Sequence, residues 1–421
     1  MSQQPGLRRA MGGFDATTVG VGAMIGAGAF VVFAPAAAAA GALLPLAVVI
    51  AGFVAYCNAS ATASLAVRHP SSGGTYFYGR EQLGHWSGFI AGCGFVTGKL
   101  ASCAAMALTF GLYAVPGYER AAAIAAVVGL TAVNLLGVTR TALATRVIVS
   151  LVVPVIAFVI VVGFSSPAAD DGGLPRDAGL LGVLQASALL FFAFAGYARI
   201  ATMGEEVREP RRNIPAAILG ALGFTLVLYL LLALSLLDAF GAEALAASTA
   251  PLRDVFDLAV PGEGSTGRGG AIVTLAAALA SLGALLALIA GVGRTMLAMA
   301  RGGDLPAPLS RVSARFRVPW VADVVTAVIV VVLLVTTDVL TAVGFSSFGV
   351  LLYYAIANIS AFTLTERRWY APKWLNVVGA VSCLVLAFTL PTVSVLTMLA
   401  VLTLAVVLRA VVLARRRRAA A

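Results

Sequence analysis

The sequence predicts an all-α polytopic membrane protein, and three observations support this class. Hydrophobic residues make up 61% of the 421-residue chain, charged residues make up 11%, and the mean hydropathy is +1.00. Soluble domains average about 45–50% apolar and about 25% charged residues. Apolar runs of about twenty residues, the length that crosses a bilayer as a helix, recur along the whole chain.

We place twelve transmembrane helices on these runs and treat residues 1–421 as a single membrane domain. The predicted spans cover residues 15–37, 42–67, 86–115, 121–138, 144–165, 180–204, 214–238, 270–300, 319–337, 340–364, 374–391 and 393–413. No stretch between them has the composition of a separate soluble domain.

Basic residues set the predicted orientation, because cytoplasmic loops of membrane proteins carry an excess of Lys and Arg. With a cytoplasmic N-terminus, most of the 28 basic residues, including the run Arg415–Arg418, fall on the cytoplasmic side. We therefore expect a multi-pass protein of the cytoplasmic membrane, embedded in the lipid bilayer, with both termini in the cytoplasm. Topology also explains the net charge of +10, and no nucleic-acid partner is expected.

The first span contains a glycine-rich stretch, Gly20–Phe30. Glycine inside a helix costs about 0.5–1 kcal/mol relative to alanine, so Gly22, Gly26 and Gly28 predict a break in mid-membrane. The two half-helix ends at such a break offer free N–H groups on one side and carbonyls on the other, which suits an α-amino acid. A small-residue packing face against a neighbouring helix is the alternative, and the local pattern leaves it open.

Two basic residues fall inside predicted spans. Lys99 lies near the middle of the third span, where an ammonium costs at least about 2.5–3.5 kcal/mol on insertion scales, so a functional role is the default hypothesis. The alternative is a lysine whose ammonium binds backbone carbonyls at a broken helix. Arg199 lies near the cytoplasmic end of the sixth span, within reach of Glu205, and is interpreted as a gating or structural residue.

Gly196 marks a second candidate break, in the sixth span. The first and sixth spans would be symmetry mates if the chain held two inverted five-helix repeats, over about 15–165 and about 180–364, followed by additional helices over about 374–413. Paired interrupted helices in two such halves are the best sequence indicator of a transporter binding site.

Three motifs resemble the amino acid–polyamine–organocation superfamily. They are the first-span stretch Gly22–Phe30, the sixth-span stretch Phe191–Tyr197 followed by Glu205–Pro215, and the loop Arg294–Pro306. The resemblance implies the leucine-transporter-type fold, in which broken helices 1 and 6 belong to a 5+5 inverted repeat and access alternates about a central site. It also favours the helix break over the packing face in the first span.

By position, the resemblance implies a substrate site around the two breaks. The backbone groups that would bind the α-carboxylate are those of Met24, Ile25, Gly26, Ala27 and Gly28. The carbonyls and side chains that would bind the α-amine and cover the substrate are those of Phe192, Ala193, Phe194 and Gly196. The third span of this family also lines the pocket, so Lys99 is a candidate coupling residue in place of the fifth-span lysine of proton-coupled relatives.

Two departures from the family pattern restrict the range of expected substrates and coupling ions. Many relatives have an acid after the glycine–aromatic pair of the sixth span, whereas this chain has Ala198 and Arg199, which argues against a cationic substrate. Sodium-dependent relatives use hydroxyls of the eighth span, and none lies between Ser281 and Thr295. We therefore expect a secondary transporter of small amino acids, neutral or else anionic, driven by protons or by exchange.

Other functions remain as alternatives. They are a cationic amino acid or polyamine exchanger, and a sensor that binds amino acids without transporting them. An enzyme is not expected, because the sequence has no paired buried carboxylates, nucleophile–base pair, P-loop or metal cluster. The four cysteines lie in apolar runs without metal-ligand spacing, so neither a cofactor nor a metal is expected.

Overall fold

The computed structural model describes most of the chain and is helical in the part it describes. That part comprises residues 11–26, 28–69, 74–137, 141–166, 179–201, 207–259, 268–366 and 369–420. Within it, the one isolated pairing of extended residues joins Met11 to Val207. Large apolar side chains such as Val128, Leu275 and Leu404 are exposed, as expected for a surface that faces lipid.

Eight helices precede residue 167. They are α1 (Gly13–Ile25), α2 (Gly28–Val31), α3 (Phe33–Ala40), α4 (Leu44–Arg68), α5 (Gly74–Leu83), α6 (His85–Ala114), α7 (Glu119–Leu135) and α8 (Thr141–Ser165). The predicted first span is thus divided among α1, α2 and α3. Predicted spans two to five coincide with α4, α6, α7 and α8, and α5 is a short helix between the second and third.

Nine helices follow residue 178. They are α9 (Gly179–Phe194), α10 (Ala198–Ala201), α11 (Pro210–Ala247), α12 (Pro251–Ala259), α13 (Arg268–Arg301), α14 (Trp320–Thr336), α15 (Val339–Phe362), α16 (Lys373–Thr389) and α17 (Thr392–Ala420). Of these, α12 lies outside the predicted spans. Helix α11 continues past the predicted end at residue 238, although Gly241 kinks it with φ +69°.

Nine helical segments in the described part are long and apolar enough to cross a membrane. This confirms the predicted class, an all-α protein with several membrane-spanning helices. Three further helices that coincide with predicted spans, α7, α14 and α16, have 17 residues each, which corresponds to about 26 Å. The count of twelve spans and the two inverted repeats stay predictions.

Helix α6 lies at the centre of the bundle and packs against α13 and α15. Small residues let its backbone approach these neighbours closely. A Cβ atom built on Gly94 would lie 2.9 Å from the Gly349 carbonyl oxygen of α15, and one on Gly98 would lie 3.0 Å from the Ser346 carbonyl oxygen. Helix α1 packs against α8 and α11, so its interruption lies inside the bundle.

A buried acid joins the twelfth predicted span to the end of the bundle where α6 begins. The carboxylate of Asp304, in the α13–α14 loop, lies 2.6 Å from Nη2 of Arg409 on α17 and 3.6 Å from Nη1 of Arg80 on α5. The Tyr76 hydroxyl donates a hydrogen bond to its second oxygen at 2.9 Å. We call these four residues the Asp304 cluster. Burial, followed by the hydrogen bond and charge of Asp304, raises the pKa of Tyr76.

Aromatic rings enclose the Arg409 guanidinium. Its Cζ lies 4.6 Å from the ring centroid of Trp86 and 4.4 Å from that of Phe89. Its Nη1 also donates to the His85 carbonyl at 3.0 Å. Because such desolvated cation–π contacts contribute about 2 kcal/mol, they hold α17 to the start of α6 in addition to the ion pair that joins α17 to Asp304.

Candidate functional site

The first predicted break is present where the glycine-rich stretch places it. Helix α1 ends at Ile25, and Gly26 has a non-helical ψ of −146°. A second half begins at Gly28 and continues through α2 and α3 to Ala40. Ala27 lies outside the described residues. The last carbonyls of α1 and the first N–H groups after the break are therefore not all paired within one helix.

The second break lies in the sixth predicted span. Helix α9 ends at Phe194, a 3₁₀ turn covers Ala195–Tyr197, and the short α10 follows. Gly196, the residue that predicted this break, occupies the middle of the turn. Arg199 is half-buried in α10, whereas Glu205, its predicted partner, lies outside the described residues.

The two breaks pack directly against each other. A Cβ atom built on Gly28 would lie 2.7 Å from the Cα of Ala193, and one on Gly196 would lie 2.5 Å from the Met24 nitrogen and even closer to the Ala23 carbonyl. Only glycine permits these two close approaches of backbone to backbone. The structure therefore brings together four of the residues that the sequence assigned to the site.

The first break also faces the centre of the bundle. A Cβ atom built on Gly26 would lie 2.8 Å from Ala284 Cβ of α13 and 3.5 Å from Met106 Cε of α6. On the other side, Phe192 and Phe194 are buried, and the Phe194 ring packs edge-on against Tyr229 with centroids 5.2 Å apart. The predicted residues of both breaks thus occupy one region between α1, α6, α9 and α13.

Three buried tyrosines donate hydrogen bonds to carbonyls beside the breaks. Tyr229 of α11 donates to Met24 at 2.8 Å, Tyr113 of α6 to Phe30 at 3.0 Å, and Tyr354 of α15 to Ala195 at 3.5 Å. The sequence-based predictions do not include this role. A usable signal existed, because a tyrosine buried in an apolar span needs a partner for its hydroxyl, and helix breaks supply free carbonyls.

The Tyr229 hydroxyl offers a test of this support. We expect Tyr229→Phe to keep the ring contacts with Phe194 and lose about 0.5–1.5 kcal/mol of hydrogen-bond stabilisation, which loosens the Met24 carbonyl and raises the KM for uptake several-fold. Tyr56→Phe is the matched control, since it removes a hydroxyl that donates to the Tyr370 carbonyl, at 3.3 Å, away from the breaks. Equal KM values in both variants and the parent would contradict the expectation.

Lys99 is buried, with 8% of its surface exposed. It precedes Met106 by seven residues on α6, or about 10 Å along the axis. Within the described part of the chain, no hydrogen bond or ion pair of its ammonium is found. The alternative that backbone carbonyls satisfy Lys99 therefore has no support among these residues.

Acidic side chains are scarce around the breaks. Among the described residues of α1–α3, α6, α9, α10 and α15, the acid is Asp15, and it pairs with Arg146 of α8 at 2.5 Å. The basic residues of the same helices include Lys99 and Arg199. In the part of the chain that is described, no three His, Cys, Asp or Glu side chains are grouped so as to hold a metal ion.

Comparison with known proteins gives a family match across the chain. The family model described as amino acid permease matches residues 11–412. An uncharacterized transporter of Mycobacterium tuberculosis is 51% identical over 396 residues, which cover 92% of this chain and 88% of the relative. The chloroplastic cationic amino acid transporter 7 of Arabidopsis thaliana is 28% identical, covering 87% of this chain and 68% of the relative. The branched-chain amino acid permease BcaP of Bacillus subtilis is 27% identical, with 76% and 73% covered.

Proposed function

The chain belongs to the amino acid permease family, and from this premise we propose that it is a secondary transporter of small amino acids that are neutral or else anionic. Transport proceeds by alternating access about one central site. Homologues in this family are named transporters or permeases rather than enzymes. The observation that carries the proposal is the direct packing of two interrupted helices, because paired broken helices supply substrate sites in transporters.

We propose that the substrate lies between the two breaks. The backbone groups for its α-carboxylate are those of Met24, Ile25, Gly26, Ala27 and Gly28. The carbonyls and side chains for its α-amine and its cover are those of Phe192, Ala193, Phe194 and Gly196. The support is geometric, since Gly28 lies against Ala193 and Gly196 lies against Met24. The backbone groups proposed for the α-carboxylate are therefore next to the carbonyls proposed for the α-amine.

The proposed architecture is one membrane domain over residues 1–421 with twelve spans. Two inverted repeats cover about 15–165 and about 180–364, and additional helices cover about 374–413. Both termini lie in the cytoplasm, and the protein resides in the cytoplasmic membrane. The positions of the two breaks, five predicted spans apart, and the distribution of the basic residues support this arrangement.

The charged side chains around the breaks distinguish this proposal from cationic amino acid or polyamine exchange. Relatives named as cationic amino acid transporters favour that alternative. Against it, the described acid on the helices around the breaks, Asp15, is already paired with Arg146, and Lys99 adds positive charge. A second positive charge on the substrate would find no unpaired carboxylate among the described residues of these helices. We assign Arg199 to gating or to structural support at the end of α10.

Flux across a sealed membrane tests the proposed function. Proteoliposomes loaded with one unlabelled amino acid at a time are expected to accumulate the labelled form of the transported substrate. Binding measured by thermal shift, without accumulation in any loaded vesicle, would instead indicate a sensor. If the protein shows no binding and no flux with any of the common amino acids or polyamines, the proposal is overturned.

We propose protons or substrate exchange as the driving force, with Lys99 as the coupling residue. Lys99→Ala and Lys99→Arg are both expected to lose the stimulation of uptake by an inward proton gradient, because alanine carries no proton and arginine does not release one at ordinary pH. The measurement is uptake in proteoliposomes with and without the gradient. The matched control is Lys373→Ala, which removes a lysine at the start of α16. Unchanged proton dependence in both Lys99 variants would remove Lys99 from this role.

A further inference from the structure

We infer that Lys99 of α6 and the open space at Gly291 of α13 form a subsite for a second carboxylate, so that the transported amino acid is an acidic one. This inference rests on the proposed function and narrows its substrate class. Its observations concern the facing surfaces of α6 and α13.

One face of α6 carries Lys99 toward α13. Gly92, Lys99 and Met106 follow each other at intervals of seven residues, nearly two helical turns, so they share one face. A Cβ atom built on Gly92 would lie 2.8 Å from Sδ of Met299 on α13. Met106 lies beside Ala284 of α13, because both contact a Cβ built on Gly26. The face therefore looks onto α13 at both ends.

The same contacts fix which residue of α13 is level with Lys99. Residues 92 and 106 of α6 lie beside residues 299 and 284 of α13, so the two helices are antiparallel. Lys99 is midway between residues 92 and 106 of α6. Gly291 is close to midway between residues 284 and 299 of α13. Gly291 also follows Ala284 by seven residues and so shares its face. Lys99 and Gly291 consequently lie at the same level of the two helices.

The space at Gly291 is open. A Cβ atom built on Gly291 would meet no atom within 4 Å, whereas one on Gly293, two residues later, would meet Asp323 and Pro319. The opening therefore lies on a different side of α13 from the contact that Gly293 makes with Asp323. A glycine at this level leaves room for a ligand group next to a buried lysine.

The ammonium of Lys99 has no counter-charge in the described part of the chain. Asp323 is the acid closest to this level along α13 and α14, but it lies on the side of Gly293 and accepts a hydrogen bond from Asn134 at 2.9 Å. A buried charge without a partner is strongly unfavourable. A carboxylate that enters with the substrate would supply the missing partner.

The distances fit an acidic amino acid that spans two subsites. Lys99 lies about 10 Å along α6 from Met106, the residue that contacts the first break. A lysine side chain directed toward the break would cover part of this distance, and the substrate side chain would cover the rest. The α-carboxylate then stays at the break, while the side-chain carboxylate reaches the ammonium.

Counterflow with isosteric pairs tests the inference. Full-length protein in proteoliposomes is assayed with glutamate against glutamine and with aspartate against asparagine, which differ in charge and hardly in shape. We expect the parent to exchange the acid at least about tenfold better than its amide, as a charged hydrogen bond requires. Lys99→Arg should keep this preference, and Lys99→Met, which retains the apolar stem, should lose it.

A second variant fills the open space at Gly291 and leaves the charge of Lys99 in place. Gly291→Leu is expected to occupy the opening and lower exchange of the acid at least about tenfold relative to the amide. Gly223→Leu is the matched control, since a Cβ on Gly223 of α11 also meets no atom within 4 Å. If Lys99→Met does not fold, the inference is judged by the acid-to-amide ratio of Gly291→Leu, which should be lower than that of the parent.

The outcomes separate the inference from the proposed function. A parent protein that exchanges neutral or cationic amino acids at least as well as acidic ones overturns the inference and leaves amino acid transport intact. So does an acid-to-amide ratio that is the same in the parent, Lys99→Met and Gly291→Leu. Exchange of no amino acid at all by the parent means that the proposed function itself has failed.

Discussion

Replacing Gly196 with alanine is expected to reduce amino acid uptake by about a hundredfold, because a displacement of about 1 Å at a binding site can have an effect of that size. The alanine methyl would overlap the backbone of Ala23 and Met24. The two breaks would have to separate, and the proposed donor and acceptor groups would no longer face one substrate. The measurement is initial uptake rate in proteoliposomes, normalised to the amount of folded protein.

The control for this variant is Gly129→Ala in α7. A Cβ on Gly129 meets no atom within 4 Å, and alanine in place of a helical glycine is favourable by up to about 1 kcal/mol. It should leave uptake unchanged and stability equal or higher. Normal uptake by Gly196→Ala would contradict the idea that close contact between the two breaks is needed for transport.

Replacing Asp304 with alanine is expected to destabilise the protein by about 3–5 kcal/mol, the cost of removing one partner from a buried ion pair. The side chains of Arg409 and Asp304 are only 8% and 4% exposed. The variant leaves the Arg409 guanidinium enclosed by Trp86 and Phe89 without its carboxylate. A lower melting temperature of the purified protein, measured by intrinsic fluorescence in one fixed detergent, checks this result.

An exposed ion pair provides the comparison. Arg68 and Glu366 lie 3.9 Å apart, with side chains 61% and 82% exposed, and such pairs contribute about 0–1 kcal/mol. Glu366→Gln should therefore leave the melting temperature nearly unchanged. If Asp304→Ala and Glu366→Gln have the same melting temperature, the Asp304 cluster does not hold α17 to the bundle as described.

Hydropathy predicted the fold class because a bilayer requires long apolar helices. The breaks were also predictable, since glycine is unfavourable inside a helix and both Gly26 and Gly196 interrupt one. The kinked extension of α11 and helix α12 were not predicted, because residues 239–269 have the polar composition of a loop. A short helix of this kind depends on packing rather than on local pattern.

The geometry around the two breaks was predictable in part. Glycines marked where backbone approaches backbone, which is a local signal. The support from Tyr113, Tyr229 and Tyr354 comes from helices distant in sequence, so hydropathy does not identify it. The depth of Lys99 followed from its position in the span, but its alignment with Gly291 depends on the antiparallel packing of α6 and α13, which one sequence without a structure does not specify.

A structure of the protein with its transported amino acid bound tests the central claim most directly. A cryo-EM map in lipid nanodiscs, with the amino acid that gives the strongest counterflow, would locate the ligand. The account predicts its α-carboxylate within about 2.7–3.2 Å of backbone nitrogens at Gly26–Gly28, and its α-amine against carbonyls of residues 192–196. Ligand density elsewhere in the bundle, with Gly28 still packed on Ala193, would contradict it.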